Sequence, residues 1–134
     1  MTTLRTLLFL SPLTLLAGCG GNICKAGDTD CSCASAGVCE WECDGGGCDF
    51  DSSGQGTATF ACPEGGCSLD VSAQGATTMT CEGGDCDVDV SGQGDVTLTC
   101  AGGGCTMDCG GQGTCTITEC TDCVCTPSLT GVCG

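Results

Sequence analysis

Four consecutive nineteen-residue segments of this chain are copies of one another. Aligned on cysteine, residues 43–61 read CDGGGCDFDSSGQGTATFA and 62–80 read CPEGGCSLDVSAQGATTMT. Residues 81–99 read CEGGDCDVDVSGQGDVTLT and 100–118 read CAGGGCTMDCGGQGTCTIT, and nothing is inserted before Glu119. Cysteine recurs in two columns, Cys43/Cys62/Cys81/Cys100 and Cys48/Cys67/Cys86/Cys105, and Gln55/Gln74/Gln93/Gln112 form a third, each followed by glycine. A fixed period of this length means a stack of one repeated unit that shares its core with its neighbours.

Within a copy the apolar residues alternate, the period of short strands rather than helix. Cys86, Val88 and Val90 point one way, Asp87 and Asp89 the other. After the turn SGQGD, Val96, Leu98 and Cys100 point inward, Thr97 and Thr99 outward. The bulky side chains collect in two inward columns: Phe50/Leu69/Val88/Met107 and Trp41/Phe60/Met79/Leu98/Ile117. The fold class is therefore all-β. Two architectures fit a unit of strand, five-residue turn, strand and four-residue turn. The favoured one is a disulfide-stapled, two-sided β-solenoid in which each nineteen-residue copy is one coil and like residues stack about 4.8 Å apart. Ladders of Gln and Thr are favourable in such a stack. The alternative is an antiparallel β-hairpin meander with Cys86 facing Cys100, which the near-palindromic spacing about the turn also suits. In either case the glycines answer the positive φ of tight turns.

The ends of the array depart from the pattern in the same way. Cys109 and Cys115 stand where the preceding copy has Val90 and Val96, and Cys33 and Cys39 hold those positions in a degenerate first copy. Terminal repeats have a neighbour on one side only, so a bridge there reads as a cap. The expected organisation is a tether over 19–30 and one cysteine-rich domain over 31–133. Within it 31–42 form the N-cap, 43–118 the repeats and 119–133 the C-cap.

Nineteen cysteines in 134 residues read as a disulfide scaffold in an oxidising compartment. The N-terminus, MTTLRTLLFLSPLTLLAGCGG, supplies that compartment: a basic start at Arg5, an apolar run too short to span a bilayer comfortably, then Leu16-Ala17-Gly18-Cys19. It resembles a bacterial lipoprotein precursor, with LAGC as the lipobox. The resemblance covers residues 1 to about 21. It implies that 1–18 are a signal peptide and that Cys19 carries lipid after cleavage, palmitate-type acyl chains giving a stable membrane anchor. It also implies the outer membrane of a two-membraned bacterium, since Gly20 rather than Asp follows Cys19.

Setting Cys19 aside leaves an even eighteen cysteines, enough for nine bridges. Two connectivities stay open. One closes each Cx4C loop, as Cys43–Cys48, Cys62–Cys67, Cys81–Cys86 and Cys100–Cys105; the other ties Cys67–Cys81 and Cys86–Cys100 across the unit. Both pair Cys33–Cys39 and Cys109–Cys115. A six-residue loop closed by a disulfide contributes about 2 kcal/mol in the chain-entropy model.

After cleavage one lysine, Lys25, faces seventeen carboxylates. That balance excludes nucleic acid and anionic headgroups as partners, because both require Lys and Arg. The chain has no histidine and no tyrosine, so histidine-based nucleophile systems are impossible. A carboxylate pair of the glycosidase kind would lack a cleft on so narrow a stack. The chain is not expected to be an enzyme, and no exposed aromatic patch marks a protein or glycan partner.

The leading functional expectation is a rigid, lipid-tethered surface module whose acidic faces maintain solubility and block edge association. An alternative is divalent cation binding, Ca²⁺ above all, by an outward column of Asp51, Asp70, Asp89 and Asp108 with Asp49 and Asp87 on the same face. Stacked carboxylates repel by about 1 kcal/mol even in water, and a hard cation relieves that. The copies resemble RTX-type calcium β-rolls in having two short strands per turn. GGDCDVDVS lacks that family's fourth-position Gly, however, and has Val88 at its sixth-position Asp, so the family's ligands do not carry over. Thr59/Thr78/Thr97/Thr116 and Thr80/Thr99/Thr118 form TxT rows similar to the ice-binding face of insect antifreeze proteins, although Ala61 interrupts one row and Thr is a default strand residue. Cys31-x-Cys33, Cys120-x-x-Cys123 and Cys123-x-Cys125 have spacings similar to those of metallothionein thiolate clusters.

Overall fold

The computed structural model describes residues 21–127 and 131–133. Its strands are β1 (Asn22–Lys25), β2 (Cys31–Cys33), β3 (Cys39–Asp44), β4 (Asp49–Ser52), β5 (Ala58–Cys62), β6 (Ser68–Val71) and β7 (Thr77–Cys81). There follow β8 (Asp87–Val90), β9 (Val96–Thr99), β10 (Thr106–Cys109), β11 (Thr114–Thr118), β12 (Val124–Pro127) and β13 (Val132–Cys133). Odd strands form a seven-stranded sheet in the order β1-β3-β5-β7-β9-β11-β13, and even strands a six-stranded sheet in the order β12-β10-β8-β6-β4-β2.

Every pairing among the described strands is parallel. Through the repeats each residue lies beside the one nineteen further on, as in Phe50↔Leu69, Leu69↔Val88 and Val88↔Met107. The molecule is a two-sided β-solenoid, and the antiparallel meander is excluded. Cys86 does not face Cys100 across a hairpin: Asp87 donates its N–H to the Cys67 carbonyl in the coil before, at 3.0 Å. The nineteen-residue shift repeats from coil to coil because the inward positions then stay in register on both sheets.

The core is one layer thick, and each coil fills it in three places. At one edge lies a disulfide, in the middle a bulky pair drawn from opposite sheets, and at the far edge a small pair. The middle pairs are Phe50 with Phe60, Leu69 with Met79, Val88 with Leu98 and Met107 with Ile117. All but Ile117 are buried, and the two phenylalanine rings lie 4.9 Å apart, tilted by 41°. The small pairs are Ser52 with Ala58, Val71 with Thr77 and Val90 with Val96, all buried.

The eighteen described cysteines form nine bridges, each joining a cysteine to the next one along the chain. The bridges of the repeats close the Cx4C loops, with Cα atoms 5.9–6.4 Å apart. The crossing scheme of Cys67–Cys81 and Cys86–Cys100 is not used, because both sulfurs of a Cx4C loop emerge on the same inward edge. In the terminal coils a second bridge replaces the small pair. Cys33–Cys39 lies beside Ser52 and Ala58, and Cys109–Cys115 beside Val90 and Val96.

Two features differ from the sequence reading. Asn22–Lys25, expected in a tether, form β1 paired to β3, and Cys24–Cys31 bridges the coil they open. The stack therefore starts one strand earlier, and the final coil is one residue shorter: Thr106 pairs with Val124 and Thr114 with Val132. The glycines also answer two demands, which coincide at Gly65 and Gly84. Positive φ belongs to the four-residue turn, as at Gly65 (81°) and Gly66 (70°). The glycines around each Gln do not have it. A methyl at Gly94 would instead overlap the Gly75 carbonyl oxygen of the preceding coil, so these glycines set how closely coils approach.

Candidate functional site

The two sheets present different chemistry outward. On the six-stranded sheet, Asp51, Asp70, Asp89 and Asp108 occupy one in-register column over β4, β6, β8 and β10, with Ser32 before it and Thr126 after it. Asp49 and Asp87 lie in the other outward column, but not as neighbours: the order is Asp49, Ser68, Asp87, Thr106. That alternation gives each of these carboxylates a donor. Ser68 Oγ donates to Asp49 and Thr106 Oγ1 to Asp87. In the unbroken column Ser32 Oγ donates to Asp51 Oδ1 at 3.2 Å.

The electrostatic consequence falls on Asp89, near the middle of the face. Its carboxyl is held above the ordinary value of 3.8, first by the partial loss of surrounding water and then by repulsion from Asp70, Asp108 and Asp87. Removing water and adding like charge both disfavour the ionised form. Asp87, Asp89 and Asp108, with Thr106 and Thr126, line an open hollow of about 320 Å³ on this face. Oxygen ligands at strand spacing are the kind that a hard divalent cation takes. The column of four expected from the sequence is in register, and Asp49 and Asp87 lie on the same face beside it, separated from each other by Ser68.

The seven-stranded sheet carries the threonines. Thr59, Thr78, Thr97 and Thr116 are in register, as are Ala61, Thr80, Thr99 and Thr118. Thr99 and Thr118 hydroxyls lie 3.1 Å apart, and Thr80 Oγ1 donates to the Phe60 carbonyl at 3.5 Å. Glu40 and Glu42 precede Thr59 and Ala61 in the same columns and end the hydroxyl surface.

Cys19, the expected lipidation site, lies outside the described residues, as does the whole expected signal peptide. The cysteines of the thiolate-cluster spacings are all in bridges: Cys31 joins Cys24, Cys33 joins Cys39 and Cys125 joins Cys133, while Cys120 and Cys123 join each other. The pairing of Cys24 was missed by sequence reasoning, although Cys24 stands nineteen residues before Cys43 and so extends a visible column. The buried hydroxyl pair of Ser52 and Thr77, 3.0 Å apart, was also missed. Its signal was a polar residue at two inward positions.

No protein-family model matches this chain, and neither the curated proteins nor the solved structures compared with it give a match.

Proposed function

We propose that this chain is a rigid, lipid-anchored structural module of a bacterial cell envelope, non-catalytic, and held at the membrane by acyl chains on Cys19. The observation that carries the reading is the cysteine pairing. All eighteen cysteines from Cys24 onward bridge among themselves, a state that belongs to an oxidising compartment. The scaffold thus makes no demand on the nineteenth, and that one stands in Leu-Ala-Gly-Cys behind an apolar leader. Only Gly20 and Gly21 separate Cys19 from the first strand, so the solenoid would rise almost directly from its anchor. Gly20 after the lipidated cysteine favours the outer membrane.

The test is the intact mass of protein extracted from its host, alkylated without reductant. A mass beginning at Cys19, increased by acyl chains and bearing no alkyl groups, is expected. An unlipidated mass with many alkylated thiols would overturn both the address and the oxidised scaffold.

A second reading, weak Ca²⁺ binding on the acidic face, is favoured by the unbroken register of Asp51, Asp70, Asp89 and Asp108. Repulsion along that column is what a bridging cation relieves. Heat on titration with millimolar Ca²⁺ and a raised melting temperature are expected; absence of both removes this reading.

A further inference from the structure

Five disulfides stack along one edge of the solenoid: Cys43–Cys48, Cys62–Cys67, Cys81–Cys86, Cys100–Cys105 and Cys120–Cys123. Each approaches the next to within 4.8 Å, sulfur to sulfur. The first four are sealed, none of their cysteines more than 2% exposed. The fifth is half-buried and reaches solvent. It alone is a Cys-x-x-Cys pair, the arrangement that lowers a thiol's pKa and makes it exchange readily.

The two sulfurs of this rung are not equivalent. The Cys105 N–H points at Cys123 Sγ, 3.2 Å away, and a backbone donor stabilises sulfur as thiolate. The Thr121 carbonyl oxygen, which opposes an anion, lies closer to Cys120 Sγ (3.6 Å) than to Cys123 Sγ (3.9 Å). Glu119 and Asp122 flank both in sequence and do not set them apart. Cys123 is therefore the better leaving group, and exchange is faster when the departing thiol has the lower pKa.

We propose that Cys120–Cys123 is a thiol–disulfide exchange site for an external dithiol, with Cys120 the attacked sulfur and Cys123 the leaving thiolate. A thiolate of the dithiol attacks Cys120 Sγ. The Cys120–Cys123 bond breaks, its electron pair goes to Cys123, and a mixed disulfide forms on Cys120. The second thiol of the partner then attacks its own sulfur in that mixed disulfide. The partner leaves oxidised, and Cys120 and Cys123 are left as two thiols, two electrons having been transferred. The half-buried Cys125–Cys133 bridge joins two strands across eight positions and has no Cys-x-x-Cys character.

The test exposes the native, fully oxidised chain to limiting dithiothreitol at pH 7, quenches with iodoacetamide at intervals and maps the alkylated peptides. Cys120 and Cys123 are expected to react together, at least about tenfold ahead of Cys125, Cys133 and the sealed rungs, given the rate dependence on thiolate character and access. Another pair opening first, or all nine opening together, overturns the proposal. Two variants test the roles, each leaving one thiol. Cys123 in Cys120→Ser should alkylate several-fold faster at pH 7 than Cys120 in Cys123→Ser, and equal or reversed rates would overturn the assignment of leaving group.

Discussion

Ser52 and Thr77 meet inside the solenoid, hydroxyl to hydroxyl at 3.0 Å, although they belong to adjacent coils and opposite sheets. Both are 1% exposed, so each is the other's means of satisfying a polar group in the core. One coil further on, Val71 and Val96 hold the equivalent positions, which shows that the site accepts an apolar pair. Ser52→Ala or Thr77→Val alone strands a buried hydroxyl and should cost about 1–3 kcal/mol. The double variant should recover most of that loss. A double-mutant cycle by denaturant melts checks it; additive losses would mean that the two hydroxyls do not depend on each other.

Gly94→Ala should destabilise by about 1–3 kcal/mol, as overpacking does, because its methyl would overlap the Gly75 carbonyl of the coil before. Gly37→Ala is the control. Nothing lies within 4 Å of a methyl there, and its melting temperature should stay within a degree or two of the parent, as surface changes usually do.

Asp89→Asn should raise the melting temperature at neutral pH. The folded-state pKa of Asp89 is raised, so its ionised form works against folding. That penalty is complete above the folded-state pKa and disappears as pH falls below the unfolded value near 3.8. The difference between variant and parent should therefore be largest at pH 7, shrink towards pH 3 and weaken with salt. An equal difference at both pH values would point to packing instead.

Asp85 sits with φ at 55° in the column where the other copies have Gly47, Gly66 and Gly104 at 65–70°. Its left-handed conformation carries a steric cost that glycine avoids, offset in part by glycine's extra freedom when unfolded. Asp85→Gly should stabilise by about 0.5–1 kcal/mol. Guanidinium melts of the two proteins decide the sign.

The fold was legible in the sequence to the extent that its causes are periodic. The nineteen-residue step and the alternation around Val88 and Leu98 dictate two strands per coil with a shared interior. Parallel pairing follows once like residues are allowed to stack. What remained hidden depends on distances between coils that no single copy encodes. Gly94 reads as a turn residue until the Gly75 carbonyl is placed against it. The column of four aspartates was legible, but the hydroxyls of Ser68 and Thr106 that serve Asp49 and Asp87 across coils were not. Strand β1 was hidden because it keeps Cys24 and little else of the repeat.

Each bridge joins neighbouring described cysteines, at sequence separations of 3 to 8. Eighteen cysteines allow about 34 million complete pairings, and this one can be reached without looking ahead. A chain threaded through a membrane N-terminus first presents its cysteines in the order in which they must join. An oxidant acting on each pair as it emerges would leave a disulfide isomerase little to correct, and pairing would keep pace with the emergence of the chain rather than wait for its end.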